Sequence, residues 1–256
     1  MLLLALETST MTGSVALVEA PPQEEGSCRG EKILAEYTVN LPGTHSERLM
    51  PAIDRLLKEA SLSIGNIQGI ALAWGPGSFT GLRIGVSTVK GLAYALRVPV
   101  VGVPTLDALA QNVRFAPFLI CPVLDARKKE VYASLFRGDG EGNLQKISED
   151  WVISPEKLCS RIAEKTLFLG SGIEVYGETF KKNLGPRALF APPELSLPRA
   201  VHVARLSLPK FQAGRTLDIF SFTPVYVRRS EAEIHYEAKE RKGTDPKAEE
   251  ENGQQK

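Results

Sequence analysis

Apolar positions along the chain fall into short continuous runs and helically spaced stretches, separated by polar or glycine-rich segments. The run from Leu2 to Leu6 ends in Glu7, a Ser/Thr/Gly segment follows, and a second apolar run begins at Ser14: LLLALE, TSTMTG, SVALV. Two apolar runs around a polar turn predict a hairpin. Residues 118–136 repeat the arrangement as FLICPVLD, ARKK, EVYASLF, with Asp125 at the place of Glu7. The repetition predicts a duplicated α/β unit.

A third strand is predicted over Ile33–Val39. Thr44 and Glu47 then stand three apart, the spacing of a capping box, ahead of a helix from Ser46 to Ala60 with Leu49, Ile53, Leu56, Leu57 and Ala60 on one apolar face. Pro51 lacks a backbone donor and is expected to bend this helix or delay its start. Ile67–Trp74 reads as a strand, GPGSFTG at Gly75–Gly81 as a tight turn, Leu82–Leu96 as a helix and Val98–Val103 as the next strand. Together these make a right-handed βαβ unit. Gly81, Gly85, Ser87, Gly91, Ala93 and Ala95 give the helix a small surface and weak intrinsic propensity, so packing within or between chains must support it. In the second half Ser154 precedes Pro155 at a helix start, Thr166–Leu169 is a short strand, and Gly170–Gly172 a turn. Ile173–Lys182 and Pro198–Phe211 are helical in pattern, and Pro224–Arg228 is a final extended segment. The polar run Pro21–Gly30 reads as a surface loop. Residues 237–256 contain no Leu, Ile, Val or aromatic residue and are expected to be a disordered tail.

With 256 residues, 43% of them hydrophobic, the chain is long enough for one large or two small cores. A formal net charge of +1 gives no global attraction to nucleic acid or anionic lipid. MLLLAL is too short for a signal-peptide core, and Phe115–Leu124 has ten residues with two prolines, so neither predicts a membrane span. Cys28, Cys121 and Cys159 have no metal spacing, and free thiols in the cytoplasm are the expected state.

GPGSFTG is the sharpest local motif. Its glycines permit close backbone approach, and the N–H groups of the following helix start could receive an anion, but no Walker lysine follows. A nucleotide contact through Thr8, Ser9, Gly75, Gly77 and Ser78, a tight structural turn, and a partner-contact loop all fit the residues. Arg83 and Lys90 lie on the helix that the motif opens. Glu7 and Asp125 close the first strand of each hairpin, where a carboxylate can orient water or a magnesium ion, although capping a turn explains them more simply. His45, His202 and His235 form no metal motif, and His45 with Ser78 or Ser9 lacks a nucleophile elbow. Cys121 sits in an apolar run as a small buried side chain. Phe220, Phe222, Tyr226, Arg228 and Arg229 place aromatics beside positive charge, a composition that can stack bases or simply end a strand.

Taken in order, LALETST (4–10), HSERLMPAIDRLL (45–57), WGPGSFTGLRIGVSTVKGLA (74–93), GVPTLDALA (102–110), PVLDARKKEVYASLF (122–136) and PVYVRRSEAE (224–233) resemble the bacterial TsaB (YeaZ-like) family of tRNA threonylcarbamoyladenosine biosynthesis proteins. The resemblance covers roughly residues 1–234. It implies two related α/β lobes of the actin-like, Hsp70-like ATPase (ribonuclease H-like) fold: a first lobe over 1–104, a second over 105–234, and a tail over 235–256. It also implies a noncatalytic subunit that supports the transferase TsaD in modifying position 37 of tRNAs reading codons that begin with A. TsaD would be the main partner, TsaE would join through the ternary complex, tRNA would be engaged indirectly, and the chain alone would form a homodimer. No intrinsic cofactor is implied, ATP or ADP being held by the partner complex. The interface would lie on the first-lobe helices, at Leu49, Ile53, Leu56, Leu57, Gly81, Gly85, Val89 and Leu92. Where TsaD has a metal-binding histidine pair, this sequence has Pro104, Thr105, Leu106, Asp107, Ala108 and Leu109, with no His, and Glu7 stands where the family motif commonly has Asp. A nucleotide-binding ATPase or small-molecule kinase of the same fold is the alternative.

Overall fold

The structure, a computed structural model, describes residues 1–21, 31–41 and 43–227. Most of the expected loop at 21–30 with Cys28, the residues Arg228, Arg229 and His235, and the expected tail lie outside the described residues.

Strands β1 (Leu2–Glu7), β2 (Gly13–Glu19) and β3 (Lys32–Val39) form an antiparallel meander. Helix α1 (His45–Glu59), strand β4 (Gly69–Ala73), helix α2 (Phe79–Leu96) and strand β5 (Val100–Val103) follow. β4 joins β1 and β5 joins β4 in parallel, giving the order β3-β2-β1-β4-β5. Both helices cover one face of this sheet. Leu49, Ile53, Leu56 and Leu57 of α1 and Val86 and Val89 of α2 pack on Leu4, Leu6, Val15, Leu17, Ile70 and Leu72. Burial of such a side chain stabilises by about 1.5–3 kcal/mol.

Two helix starts differ from the sequence expectation. Thr44 makes no side-chain cap, its hydroxyl accepts from Ser46 Oγ at 3.1 Å, and the expected capping box with Glu47 does not form. α1 runs on through Pro51, which lies on its exposed side. α2 begins at Phe79, ahead of the expected Leu82, because Ser78 Oγ accepts from Gly81 N at 3.3 Å and caps the helix inside the glycine motif.

Helix α3 (Thr105–Ala110) leads into β6 (Leu119–Arg127), β7 (Glu130–Ala133), β8 (Phe136–Gly138), β9 (Leu144–Lys146) and β10 (Trp151–Ile153). After these come α4 (Pro155–Ser160), β11 (Thr166–Leu169), α5 (Gly172–Leu184), β12 (Ala188–Phe190) and α6 (Ala200–Gln212). The order β10-β7-β6-β11-β12 repeats that of the first sheet, antiparallel strands on one side of the central strand and parallel ones on the other. β8 and β9, which the apolar pattern did not predict, pair beside β6. α4 and α5 bury Leu158, Phe180 and Leu184 against Cys121, Val123 and Phe168.

Helix α6, placed by the sequence in the second half, crosses back to the first sheet. There it packs Ala200, Val201, Val203 and Ala204 on Ala5, Ala16, Val18, Ala71, Ala73, Val101 and Val103. The alanines on that face let the helix sit close to the strands. α3 covers the facing side of the second sheet with Leu106 and Leu109, against Ile120, Leu124 and Leu169, and it also touches α6. From residue 217 the chain climbs beside α2 as an irregular strap: Leu217 N donates to Val100 O and Val225 N to Trp74 O, each at 2.8 Å. Phe222 of the strap is buried with the α1 and α2 core.

Candidate functional site

The turn after β1 and the glycine motif after β4 meet at the ends of their strands. Glu7 folds back on its own turn, accepting from Ser9 N at 2.6 Å and Ser9 Oγ at 2.5 Å. Its carboxyl is fully buried, and desolvation pushes its pKa up to about 7 against the opposing hydrogen bonds from Ser9. The turn so held enters the glycine loop. Ser78 N donates to Ser9 O at 2.6 Å, and Thr8 Oγ1 donates to Gly81 O at 2.9 Å. A Cβ on Gly77 would stand 2.3 Å from Ser9 O, and one on Gly81 2.0 Å from Thr8 O. His45 Nε2 donates to Thr10 O at 2.7 Å, tying α1 to the same turn.

Of the three readings open for GPGSFTG, this geometry is that of the tight structural turn. Thr8, Ser9, Gly75, Gly77 and Ser78 do converge, but on one another. Thr8 and Ser9 are buried, Gly75 is closed over by Val225 O, and the N–H groups of Ser78 and Gly81 are already taken. The carbonyls of Ser9 and Thr8 lie where a side chain on Gly77 or Gly81 would stand.

The proposed partner residues also face inward. Leu49, Ile53, Leu56, Leu57 and Val89 are buried in the core beneath α1 and α2, and Leu92 is packed against it. Gly81 abuts Thr8 O, and a Cβ on Gly85 would stand 2.4 Å from Thr8 Oγ1. The apolar stripe of each helix is consumed by its own sheet, so these residues are not a free surface. The outward face of α2 has another composition. It carries Phe79, Thr80, Arg83, Ser87, Gly91, Tyr94 and Ala95, and nothing lies within 4 Å of a Cβ built on Gly91. The strap adds Phe220 and Tyr226. Their only signal in the sequence was the aromatic and basic stretch at 220–229.

Asp125 accepts from Arg127 N at 2.8 Å and from Tyr176 OH at 3.4 Å, holding the turn between β6 and β7. Ser9 is given to Glu7 and Ser78 to Gly81, so neither pairs with His45. Burial, with Arg199, Arg205 and Arg114 nearby, pushes the pKa of His202 down to about 3. Burial also drives the Cys121 thiol far above its ordinary value. Among the described residues no group of three or more His, Cys, Asp or Glu could hold a metal ion, and no helix is long and apolar enough to cross a membrane.

A family profile described as "TsaD: tRNA N6-adenosine threonylcarbamoyltransferase" matches residues 35–236. The tRNA threonylcarbamoyladenosine biosynthesis protein TsaB of Bacillus subtilis is 33% identical over 239 residues, 92% of this chain and 98% of its own. That of Haemophilus influenzae is 31% identical over 88% of this chain and 93% of its own. The solved structure of YeaZ from Pseudomonas aeruginosa superposes with a TM-score of 0.70 at 31% identity, over 88% of this chain and 99% of that one. The chain belongs to the TsaB family. Its two sheets share one strand order, and the long TsaB motif Trp74–Ala93 spans the glycine loop and most of α2. In this TsaB-family chain the segment after β5 is α3, whose Thr105, Leu106, Ala108 and Leu109 are buried and whose Thr105 N donates to Gly75 O at 2.9 Å.

Proposed function

We propose that the chain is a noncatalytic subunit of the machinery that forms N6-threonylcarbamoyladenosine at position 37 of tRNAs reading codons that begin with A. It binds and supports a TsaD-type transferase, with a TsaE-type ATPase joining through the ternary complex and the tRNA engaged through the partner. Family membership supports the pathway. The observation that supports the noncatalytic role is the tightly packed glycine loop, where a Cβ on Gly77 or Gly81 would meet the carbonyl of Ser9 or Thr8 and Ser78 N is bonded to Ser9 O. A phosphoryl- or acyl-transfer enzyme needs preorganised donors or a metal where charge develops, and here Ser78 N is taken by Ser9 O and Gly81 N by the Ser78 hydroxyl. On this reading ATP or ADP belongs to the partner complex, and the chain alone pairs through its first lobe.

Reconstitution of TsaD, TsaE, threonylcarbamoyl-adenylate and substrate tRNA, with and without this chain, tests the proposal. Modification is expected to require the chain, and modification at an equal rate without it refutes the role. Titration of the isolated chain with magnesium-ATP is expected to give no specific heat. Saturable binding would restore the ATPase or small-molecule kinase alternative.

A further inference from the structure

Three arginines and a histidine gather where α6 meets the segment that follows α3. Arg199, His202 and Arg205 stand three apart at the start of α6, so they share one flank of the helix. Arg114 comes from the segment after α3. Two residues before it, Asn112 Nδ2 donates to Leu195 O and Leu197 O, each at 2.8 Å, which ties the segment to the approach to α6. Arg199 Nε donates to Glu36 Oε2 at 3.0 Å and Arg205 Nε to Glu31 Oε1, carboxylates that lie on and just before the edge strand β3. Arg114 has no such partner. Among the described residues its guanidinium makes no ion pair or hydrogen bond, and it rests 4.8 Å from the ring centre of Phe115. The half-buried His202 ring has no hydrogen-bond partner among the described residues either.

Three guanidinium charges against two carboxylates leave one cation in excess beside an imidazole. Burial, and then Arg199, Arg205 and Arg114, hold that imidazole uncharged, with its pKa pushed down to about 3. Burial and Arg205 likewise hold Arg114 below its ordinary value, against the attraction of Glu31. A guanidinium set beside another without a carboxylate of its own does not help the chain fold, and groups perturbed in this way concentrate where a ligand compensates them. Guanidinium forks and imidazole N–H groups are donors that recognise oxyanions. Here they reach in from two elements, which suits the four oxygens of a tetrahedral phosphate better than the two coplanar oxygens of a carboxylate. Glu31 and Glu36 flank the cluster and would repel the successive charges of a long polyanion, so a small phosphate suits it better than an RNA backbone.

We infer that Arg114, His202 and Arg205, with Arg199 beside them, bind a small phosphate-class anion between α6 and the segment after α3. The site shares no residue with the glycine loop and does not depend on the transferase reading. Bound phosphate offsets the arginines around His202, so the imidazole takes up a proton more readily.

The test is thermal melting and calorimetric titration of the full chain at constant ionic strength with inorganic phosphate, pyrophosphate or acetate. The wild type is compared with Arg114→Gln, Arg114→Lys and Lys165→Gln, the last an exposed cation elsewhere on the surface. Phosphate at about a hundred times its Kd is expected to raise the wild-type melting temperature by about 5 °C or more. Arg114→Gln is expected to melt no lower than wild type without phosphate, because it removes a like charge from beside Arg205, and to bind phosphate about tenfold or more weakly. Arg114→Lys is expected to keep part of the affinity and Lys165→Gln all of it. In NMR spectra the imidazole resonance missing from His202→Gln is expected to titrate about one pH unit or more higher with phosphate bound. Wild-type melting that neither phosphate compound moves overturns the inference. A phosphate response that folded Arg114→Gln retains in full also overturns it. Acetate binding as tightly as phosphate overturns it in favour of a carboxylate site. A gel shift of short single-stranded RNA that Arg114→Gln abolishes, with both phosphate compounds without effect, overturns it in favour of an RNA contact.

Discussion

Burial of Glu7 sets a pH dependence opposite to that of a salt-bridged carboxylate. Its folded pKa of about 7 lies above the ordinary 4.5, so below about pH 4.5 the group is protonated in both states and costs nothing. As pH rises toward 7 the unfolded chain ionises first, the folded state is progressively penalised, and the penalty levels off once the folded carboxyl ionises too. The span amounts to about 3 kcal/mol. Urea unfolding of Glu7→Gln at pH 5, 6, 7 and 8 is therefore expected to show a flatter stability profile than wild type, and an unchanged slope would mean that Glu7 is not the titrating group. The glycines of α2 separate in the same way, by what surrounds each of them. Gly81→Ala drives a methyl into Thr8 O and is expected to destabilise by about 3 kcal/mol or more. Gly91→Ala meets nothing within 4 Å on an exposed helix face and is expected to stabilise by about 0.5–1 kcal/mol. Denaturant midpoints of the two variants check both signs.

At the scale of elements, the hairpin of β6 and β7 turns through Lys128 and Lys129 between the paired residues Arg127 and Glu130. Both turn residues have positive φ, 52° and 64°, and Arg127 before them has 62°. A two-residue turn with both centres left-handed favours Asn or Gly, and neither is present. Lys129→Gly is expected to raise stability by about 1 kcal/mol, read as a higher melting temperature, because it relieves a Cβ clash at that φ. The hairpins themselves were legible, since each needs only two apolar runs and a polar turn. So were α1, α2 and the glycine turn, whose patterns are local. The aromatic contacts on the outward side of α2 were not. Leu49, Ile53, Leu56 and Leu57 form the stripe that periodicity detects, and a stripe of that kind is claimed first by the helix's own sheet. Tyr94 meets Phe220 and Phe79 meets Tyr226, pairs far apart in sequence that only the course of the strap brings together.

Across the whole molecule the layers run from α1 and α2 through the first sheet to α6 and α3, then through the second sheet to α4 and α5. The middle layer takes one helix from each half of the chain, so the first lobe is not a continuous stretch of sequence. A fragment of residues 1–104 would leave Ala5, Ala16, Val18, Ala71, Val101 and Val103 uncovered, and it is expected to melt without cooperativity, whereas 1–227 melts as one transition. Circular dichroism against temperature distinguishes the two, and a sharp transition for the short fragment would show that α6 is dispensable. Both strands that flank the strap, β4 and β5, also depend on late residues, through Trp74 O with Val225 and Val100 O with Leu217. Synthesis runs in the other direction. A ribosome finishes β5 on the order of ten seconds before it releases α6, given typical elongation rates. For that interval the nascent chain holds a sheet with one bare alanine and valine face, a surface that a chaperone can occupy, so the late synthesis of α6 decides when the first lobe is complete.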